Sequence, residues 1–150
     1  LPDKDHFVKI LIGALLENRV SVLVDKSLSA YPNTSLIENE EIWSEEFLDY
    51  KIVLGMVSGP EHAMNMINKY GGGHSAAVIT ENDAVAAVFM DGVDAAAVYR
   101  NASTRFTDGF QFGLGGELAI STDKLHQRGP IGLTHLVTNK WYVYGEGQIR

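Results

Sequence analysis

The sequence predicts an α/β domain with parallel strands. Three observations carry that expectation. Between residues 50 and 100, short apolar runs alternate with segments of helical periodicity in the order β-α-β-α-β. Such alternation implies parallel strands joined by right-handed crossovers. The run YKIVLGMV at 50–57 is apolar without alternating, as expected of a strand covered on both faces. The 150 residues are room for one domain with a buried core.

The elements follow in order. A helix is expected over 3–18, with Phe7, Ile10, Leu11, Ala14 and Leu15 on one face, Asp3 as cap and Asn18 as stop. Val20, Val22 and Val24 alternate with polar neighbours and predict a strand at 19–24. Residues 25–46 are irregular. Pro32, Asn33 and Ser35 mark a turn, and the acidic run of Glu38, Glu40 and Glu41 reads as a solvated loop anchored by Ile42 and Trp43. After the strand at 50–57, Ser58 and Glu61 form a capping box with Pro60 in the first turn. That helix turns Ala63, Met64, Ile67 and Tyr70 inward and stops at Gly71. A strand follows from Ala76 to Thr80. Asn82 caps a second helix, with Val85, Val88 and Phe89 inward until Gly92, and 95–100 return as a strand. Beyond these lie a strand at 117–121, a turn at Gly129-Pro130 and a short helix at 130–137. The last strand, 139–144, alternates Trp141 and Val143 against Tyr142 and Tyr144. Aromatics on both faces need cover on both, which a partner subunit would supply.

Composition narrows the function. A net charge of −7 argues against a nucleic-acid surface, which needs a basic patch. No run approaches a membrane span, and the opening LPDKDHF lacks the basic-then-apolar pattern of a signal peptide, so the default location is cytoplasmic. Cysteine is absent, which excludes disulfides, thiolate metal sites and a cysteine nucleophile within these residues.

Chemistry concentrates in VYRNASTRFTDGFQFGLGG at 98–116. Asn101, Ser103, Thr104 and Arg105 crowd four polar groups into five positions, followed by the turn Thr107-Asp108-Gly109. A strand ending in clustered donors and a glycine-rich turn is how α/β proteins present a polar site. Arg105 can grip a carboxylate or phosphate in two parallel hydrogen bonds, with Ser103 and Thr104 adding donors. The functional reading is an anion-binding loop for a small substrate. Its rival is an ordinary loop whose arginine makes a structural ion pair. Other signatures carry less. Gly71-Gly72-Gly73-His74 follows a helix and precedes a strand, the wrong order for a phosphate loop, and reads as a helix stop. Gly113-Leu114-Gly115-Gly116 lacks the third glycine of a dinucleotide fingerprint. Ser121-Thr122-Asp123-Lys124 lacks the companion motifs of the SxxK enzymes. The histidines at 6, 62, 74, 126 and 135 show no ligand spacing for a metal, and each reads as a surface or capping residue. His126 and Arg128 lie in a loop that could approach the site, although the bland reading is preferred.

The stretches NASTRFTDGFQFGLG and ISTDKLHQRGPIGL, with the later KW, resemble the C-terminal part of γ-glutamyl phosphate reductase (glutamate-5-semialdehyde dehydrogenase), of the aldehyde dehydrogenase superfamily. The resemblance runs from about Glu45 to Arg150 and is densest from Asn101 to Leu133. KYGGGHSAAVITEN resembles the family's helix-turn-strand, and LPDKDHFVKIL the helix shortly after its nucleophile. The resemblance implies a β-α-β-α-β portion of an aldehyde dehydrogenase-like catalytic domain. Residues 1–150 would be its C-terminal part, with 138–150 as an oligomerisation strand in a homo-oligomer and the nucleotide-binding domain elsewhere. Glu46, in Glu46-Phe47-Leu48, resembles the glutamate that contacts the ribose on the nicotinamide side, with Glu45 as an alignment alternative. Asn101 through Arg105 and Asp108 through Phe112, Phe110 included, resemble the loop that anchors the substrate tail. Charge complementarity then pairs Ser103, Thr104 and Arg105 with an α-carboxylate and Asp108 with an ammonium.

The implied reaction is reduction of L-glutamyl 5-phosphate by NADPH to L-glutamate 5-semialdehyde with phosphate release, toward proline. In that family a cysteine attacks the acyl phosphate and hydride reduces the resulting thioester. With no cysteine in these residues, the nucleophile is expected upstream and the 150-residue chain alone is expected to be inactive. An association with a glutamate 5-kinase is compatible with this reading. Arg100 and Gln127 depart from the family's usual apolar residue and alanine. Two alternatives stay open: a noncatalytic ligand-binding or assembly module of the same shape, and a related dehydrogenase with another acidic substrate.

Overall fold

Helix α1 spans Lys4–Glu17 in a computed structural model that describes residues 3–150; the Leu1-Pro2 end of the expected post-nucleophile segment lies outside the described residues. The Asp3 carboxylate accepts the His6 N–H at 2.9 Å, and Asn18 closes the far end by donating its amide to the Ala14 carbonyl at 2.8 Å. The buried face is rotated from the expected one. Val8 and Ile12 are buried with Leu15 and Leu16 beside them, while Phe7 and Ile10 are exposed. Apolar residues run nearly all round this helix, so periodicity alone could not choose the stripe. Packing against the neighbouring strand did.

That strand, β1 (Ser21–Val24), buries Val22 and Val24 as its alternation predicts. It is central in a parallel three-stranded sheet, between β2 (Ser35–Leu36) and β3 (Lys51–Leu54), with Leu23 opposite Ser35 and Val22 opposite Ile52. β2 was hidden in the irregular 25–46 segment, which also carries half-buried Ile42 and Trp43 as expected. The Trp43 ring lies over Gly55 so closely that a Cβ there would stand 2.6 Å from it.

Helix α2 (Pro60–Tyr70) has Pro60 at its first position, which makes Gly59 the N-cap. The expected Ser58–Glu61 capping box therefore does not form, because Ser58 stands one residue too early. Its N–H donates instead to His62 Nδ1 at 3.2 Å. Strand β4 (Ser75–Val78), helix α3 (Asp83–Gly92) and strand β5 (Ala97–Arg100) complete the β-α-β-α-β order. Asn82 caps α3 by accepting the Val85 N–H at 3.1 Å. Ala86 and Phe89 are buried, but Val88 is exposed, since it lies on the face opposite the Ala86–Phe89–Val93 stripe. β4 and β5 are parallel, with Ser75 opposite Ala97 and Val78 opposite Arg100.

The five elements do not share one ladder. Among the described residues β3 pairs with β1, and β4 pairs only with β5. Accordingly β3 is half-buried rather than covered on both faces, and Met56 and Val57 beyond it are exposed. Two cores result. Val8, Ile12, Val22, Val24 and Leu28 form one, and Ala76, Phe89 and Val93, flanked by Met64, Ile67 and Val98, form the other.

The last third differs most from expectation. β6 (Ala119–Ser121) is the expected strand, but Gly129-Pro130 is no turn. Gly129–Ile131 is its antiparallel partner β7, where Pro130 is tolerated because only one side is paired. The expected helix at 130–137 shrinks to a single 3₁₀ turn at Leu133–His135. No strand forms at 139–144, because no described strand offers it a ladder, and Trp141, Tyr142, Val143 and Tyr144 are exposed. No helix among the described residues is long and apolar enough to cross a membrane.

Candidate functional site

The parallel pairing of β4 and β5 brings their carboxyl ends side by side, and the polar loop leaves from there. Asn101 has a left-handed φ of 52°. Its side chain clamps Thr80 at both ends: Oδ1 accepts the Thr80 N–H at 2.8 Å and Nδ2 donates to the Thr80 carbonyl at 3.0 Å. Neighbouring Arg100 donates from Nε to the same carbonyl at 3.2 Å and pairs with Asp83 at 2.6 Å, tying the strand end to the start of α3. Ser103 caps a single 3₁₀ turn, Thr104–Phe106, by accepting the Arg105 N–H at 3.2 Å. Asp108 Oδ1 accepts the N–H groups of Phe110 at 2.8 Å and Gln111 at 3.1 Å, which folds the next turn. Gly109 is required by close approach, since a Cβ there would meet the Gly116 carbonyl oxygen at 2.7 Å.

Beneath this loop runs a chain of hydroxyls. Thr107 is buried, with Oγ1 2.7 Å from Ser75 Oγ and 2.9 Å from the Tyr99 hydroxyl. Ser75 Oγ is 2.6 Å from His74 Nδ1. His74, Ser75, Thr104, Arg105, Thr107 and Asp108 line one open cleft of about 410 Å³. Arg105 and Asp108 also line a second, of about 420 Å³, with Phe106, Phe110 and Gln111. The ion pairs among the described residues join Lys69 to Glu40, Arg100 to Asp83, and Lys124 and Arg128 to Asp94. Arg105 and Asp108 take part in none of them. One cleft thus presents a guanidinium and a carboxylate that neutralise neither each other nor a neighbour. That is chemically suited to a ligand carrying both signs of charge.

The expected site residues are therefore distributed unevenly. Thr104, Arg105 and Asp108 meet in one cleft, exposed Phe110 borders the second, and Ser103 caps the turn that carries Arg105. Asn101 has its amide committed to Thr80. Glu46 lines neither cleft. It lies on the loop before β3, exposed, and its carboxylate has no hydrogen bond or ion pair among the described residues. Arg128 is a structural pin: Nη1 pairs with Asp94 at 2.7 Å and Nη2 reaches the Asp94 carbonyl at 3.1 Å. Hydrogen bonds from Lys124 and then Arg128 hold the Asp94 carboxyl below the ordinary aspartate range. Gly71 caps α2, and Gly72 and Gly73 follow at φ of 66° and 72°, so this run stops a helix.

Four residues of the cleft and its floor were not among the expected site residues: His74, read as part of a helix stop, Thr107, read as part of a turn, and Ser75 and Tyr99, which carry no local mark. The signal was the register. Once β4 pairs in parallel with β5, Ser75 lies opposite Ala97, and Tyr99, two residues on, shares that face.

No family model matches the chain. Individual proteins do. A γ-glutamyl phosphate reductase of Clostridium beijerinckii is 50% identical over 97% of this chain and 35% of its own length. One of Petrotoga mobilis is 48% identical over 93% of this chain and 33% of its own length. The crystal structure of the γ-glutamyl phosphate reductase of Thermotoga maritima superposes with a TM-score of 0.88 at 42% identity, covering 96% of this chain and 35% of that one. The chain is thus similar over nearly all its length to γ-glutamyl phosphate reductases, with an aldehyde dehydrogenase-like fold. It spans about a third of the length of the curated relatives it matches, 35% in the first case.

Proposed function

We propose that this chain is the C-terminal part of the catalytic domain of a γ-glutamyl phosphate reductase and holds the cleft for the substrate's amino-acid tail. The reaction is NADPH-dependent reduction of L-glutamyl 5-phosphate to L-glutamate 5-semialdehyde with phosphate release, in proline biosynthesis. The observation that carries this reading is the shared cleft of Arg105 and Asp108, opposite charges without ion-pair partners among the described residues. A glutamyl tail bears a carboxylate and an ammonium on one carbon. The Arg105 fork suits the first and Asp108 the second, Thr104 adds a hydroxyl donor, and Ser103 serves the site by holding the turn that carries Arg105. Phe110 walls the aliphatic part. Asn101 acts by position: its grip on Thr80 fixes where the loop begins.

For the cofactor, Glu46 fits a ribose contact, since both carboxylate oxygens are free to accept from hydroxyls. The cofactor supplies hydride when bound. The nucleophilic cysteine and nucleotide-binding domain belong to the remainder of the longer protein, which is cytoplasmic and acts in sequence with a glutamate 5-kinase. The exposed run from Trp141 to Tyr144 gains its strand partner from a second copy in a homo-oligomer.

The test is kinetic, on the full-length protein. Arg105→Ala removes charge-assisted hydrogen bonds of roughly 1.5–3 kcal/mol, so KM for glutamyl phosphate should rise about 10- to 100-fold. KM for NADPH should stay within about twofold. An unchanged substrate KM takes Arg105 out of the site. A full-length protein that binds glutamate-like ligands and reduces none of them would be a binding module instead.

A further inference from the structure

We infer that His74 is a further substrate-binding residue of this cleft, donating from Nε2 to an oxygen of the substrate's α-carboxylate. The inference rests on the reading of the cleft as the seat of the glutamyl tail.

His74 lines the same cleft as Arg105 and Thr104 and is exposed there. Only one of its ring nitrogens is engaged. Nδ1 lies 2.6 Å from Ser75 Oγ, and Nε2 has no hydrogen-bond partner among the described residues. Behind Nδ1 stands the whole hydroxyl chain: Ser75 Oγ to Thr107 Oγ1 at 2.7 Å, and Thr107 Oγ1 to Tyr99 at 2.9 Å. Each hydroxyl has one proton to give. A phenol donates more strongly than an aliphatic hydroxyl, which favours Tyr99 as the terminal donor of the chain. Protons then point from Tyr99 to Thr107, from Thr107 to Ser75, and from Ser75 to His74 Nδ1. With Nδ1 accepting, the ring proton resides on Nε2, which is then a donor available to an anion in the cleft.

The backbone under the ring is equally fixed. The Gly73 and His74 carbonyls accept from the Ala96 and Ala97 N–H groups at 2.8 and 3.1 Å. The Ser75 contact at Nδ1 and the backbone held in the β4–β5 ladder reduce the freedom the ring would lose on binding, as suits a recognition residue. Thr107, which touches Ser75 rather than the ring, is a positioning residue.

The full-length enzyme tests this in the reverse direction, as phosphate-dependent reduction of NADP⁺ with glutamate 5-semialdehyde. His74→Ala should raise KM for the semialdehyde about tenfold, leaving KM for phosphate and for NADP⁺ within about twofold. His74→Gln, whose amide can reach the Nε2 position, should recover most of the loss. Thr107→Val should raise the same KM about threefold, with Thr107→Ser restoring it. Wild-type activity with an unchanged semialdehyde KM in His74→Ala overturns the inference. So does a rise confined to phosphate, or a parallel rise in all three constants. If His74→Ala does not fold, the Thr107→Val and Thr107→Ser pair carries the test, and a semialdehyde KM equal in both to wild type overturns it. An inactive, folded wild type instead refutes the reductase reading and takes this inference with it.

Discussion

Replacing Asn101 separates two physical effects that coincide at one position. Its amide makes two hydrogen bonds to the Thr80 backbone, at 2.8 and 3.0 Å, while its own φ is 52°. The bonds are partly solvent-exposed, so losing both costs roughly 1 kcal/mol in local stability. An alanine in the left-handed region costs about 1 kcal/mol more, and glycine does not incur that term. Asn101→Ala should therefore cost about 2 kcal/mol and Asn101→Gly about 1 kcal/mol. The assay is hydrogen exchange at the Thr80 amide in the full-length protein, because that N–H is one of the two groups released. Exchange should accelerate roughly 30-fold in the alanine variant and about fivefold in the glycine variant. Glycine exchanging as fast as alanine would refute the backbone argument. Unchanged Thr80 protection in both, with a raised substrate KM, would refute the clamp and make Asn101 a direct ligand of substrate.

Gly109→Ala should lower the unfolding free energy by roughly 1–3 kcal/mol, read as a lower denaturant midpoint at constant m-value, since its Cβ would meet the Gly116 carbonyl at 2.7 Å and backbone cannot step aside. A neutral Gly109→Ala would mean the 109–116 turn is loosely held. Asp94 gives a pH prediction. Hydrogen bonds from Lys124 and Arg128 depress its folded pKa below the ordinary 3.8. Its stabilising effect is thus complete above that ordinary value and is lost as pH falls through the depressed one. Acid titration should loosen the β6–β7 hairpin against β4 and β5 in the native protein. Asp94→Asn should remove this dependence, and a hairpin that titrates identically in both variants would refute it.

The sequence marked elements whose signals are local. Asp3 and Asn82 announced the starts of α1 and α3, Gly71 the end of α2, and the alternating valines β1. The same held for Arg105 and Asp108, which share one cleft because they are three residues apart on one tight loop. What was not legible depends on pairing. β2 is two residues long and has no periodicity to detect; only its ladder to β1 defines it. Gly129-Pro130 reads as a turn, yet β6 recruits it as a strand by accepting an edge that needs no proline N–H. The Ser58–Glu61 box failed by one residue because proline, with φ preset and no N–H, took the first helical position and fixed the cap at Gly59.

The remaining discrepancies have a common direction. Phe7, Ile10, Val88, Trp141 and Val143 were expected to be covered and are exposed. The sequence pattern was not misleading about hydrophobicity; these residues are apolar at the right spacing for burial. Spacing can say that a face wants cover but not which surface covers it. In α1 two stripes compete and the strand beside it takes only one. In α3 the Ala86–Phe89–Val93 stripe faces β4 and β5 and leaves Val88 outside. Scattered apolar residues of this kind are ordinary on any surface, but a run of Trp141, Tyr142, Val143 and Tyr144 without a ladder is not. Under the proposed function the last run meets a second copy of the chain, and the stripes on α1 and α3 meet the rest of a longer catalytic domain. Under that proposal exposed Glu46, on a loop that lines neither cleft, would meet a cofactor held chiefly by the rest of the longer protein. The cleft itself needs no such completion to be recognisable, because its charges and its hydroxyl floor come from one β-α-β unit and the loop that follows it.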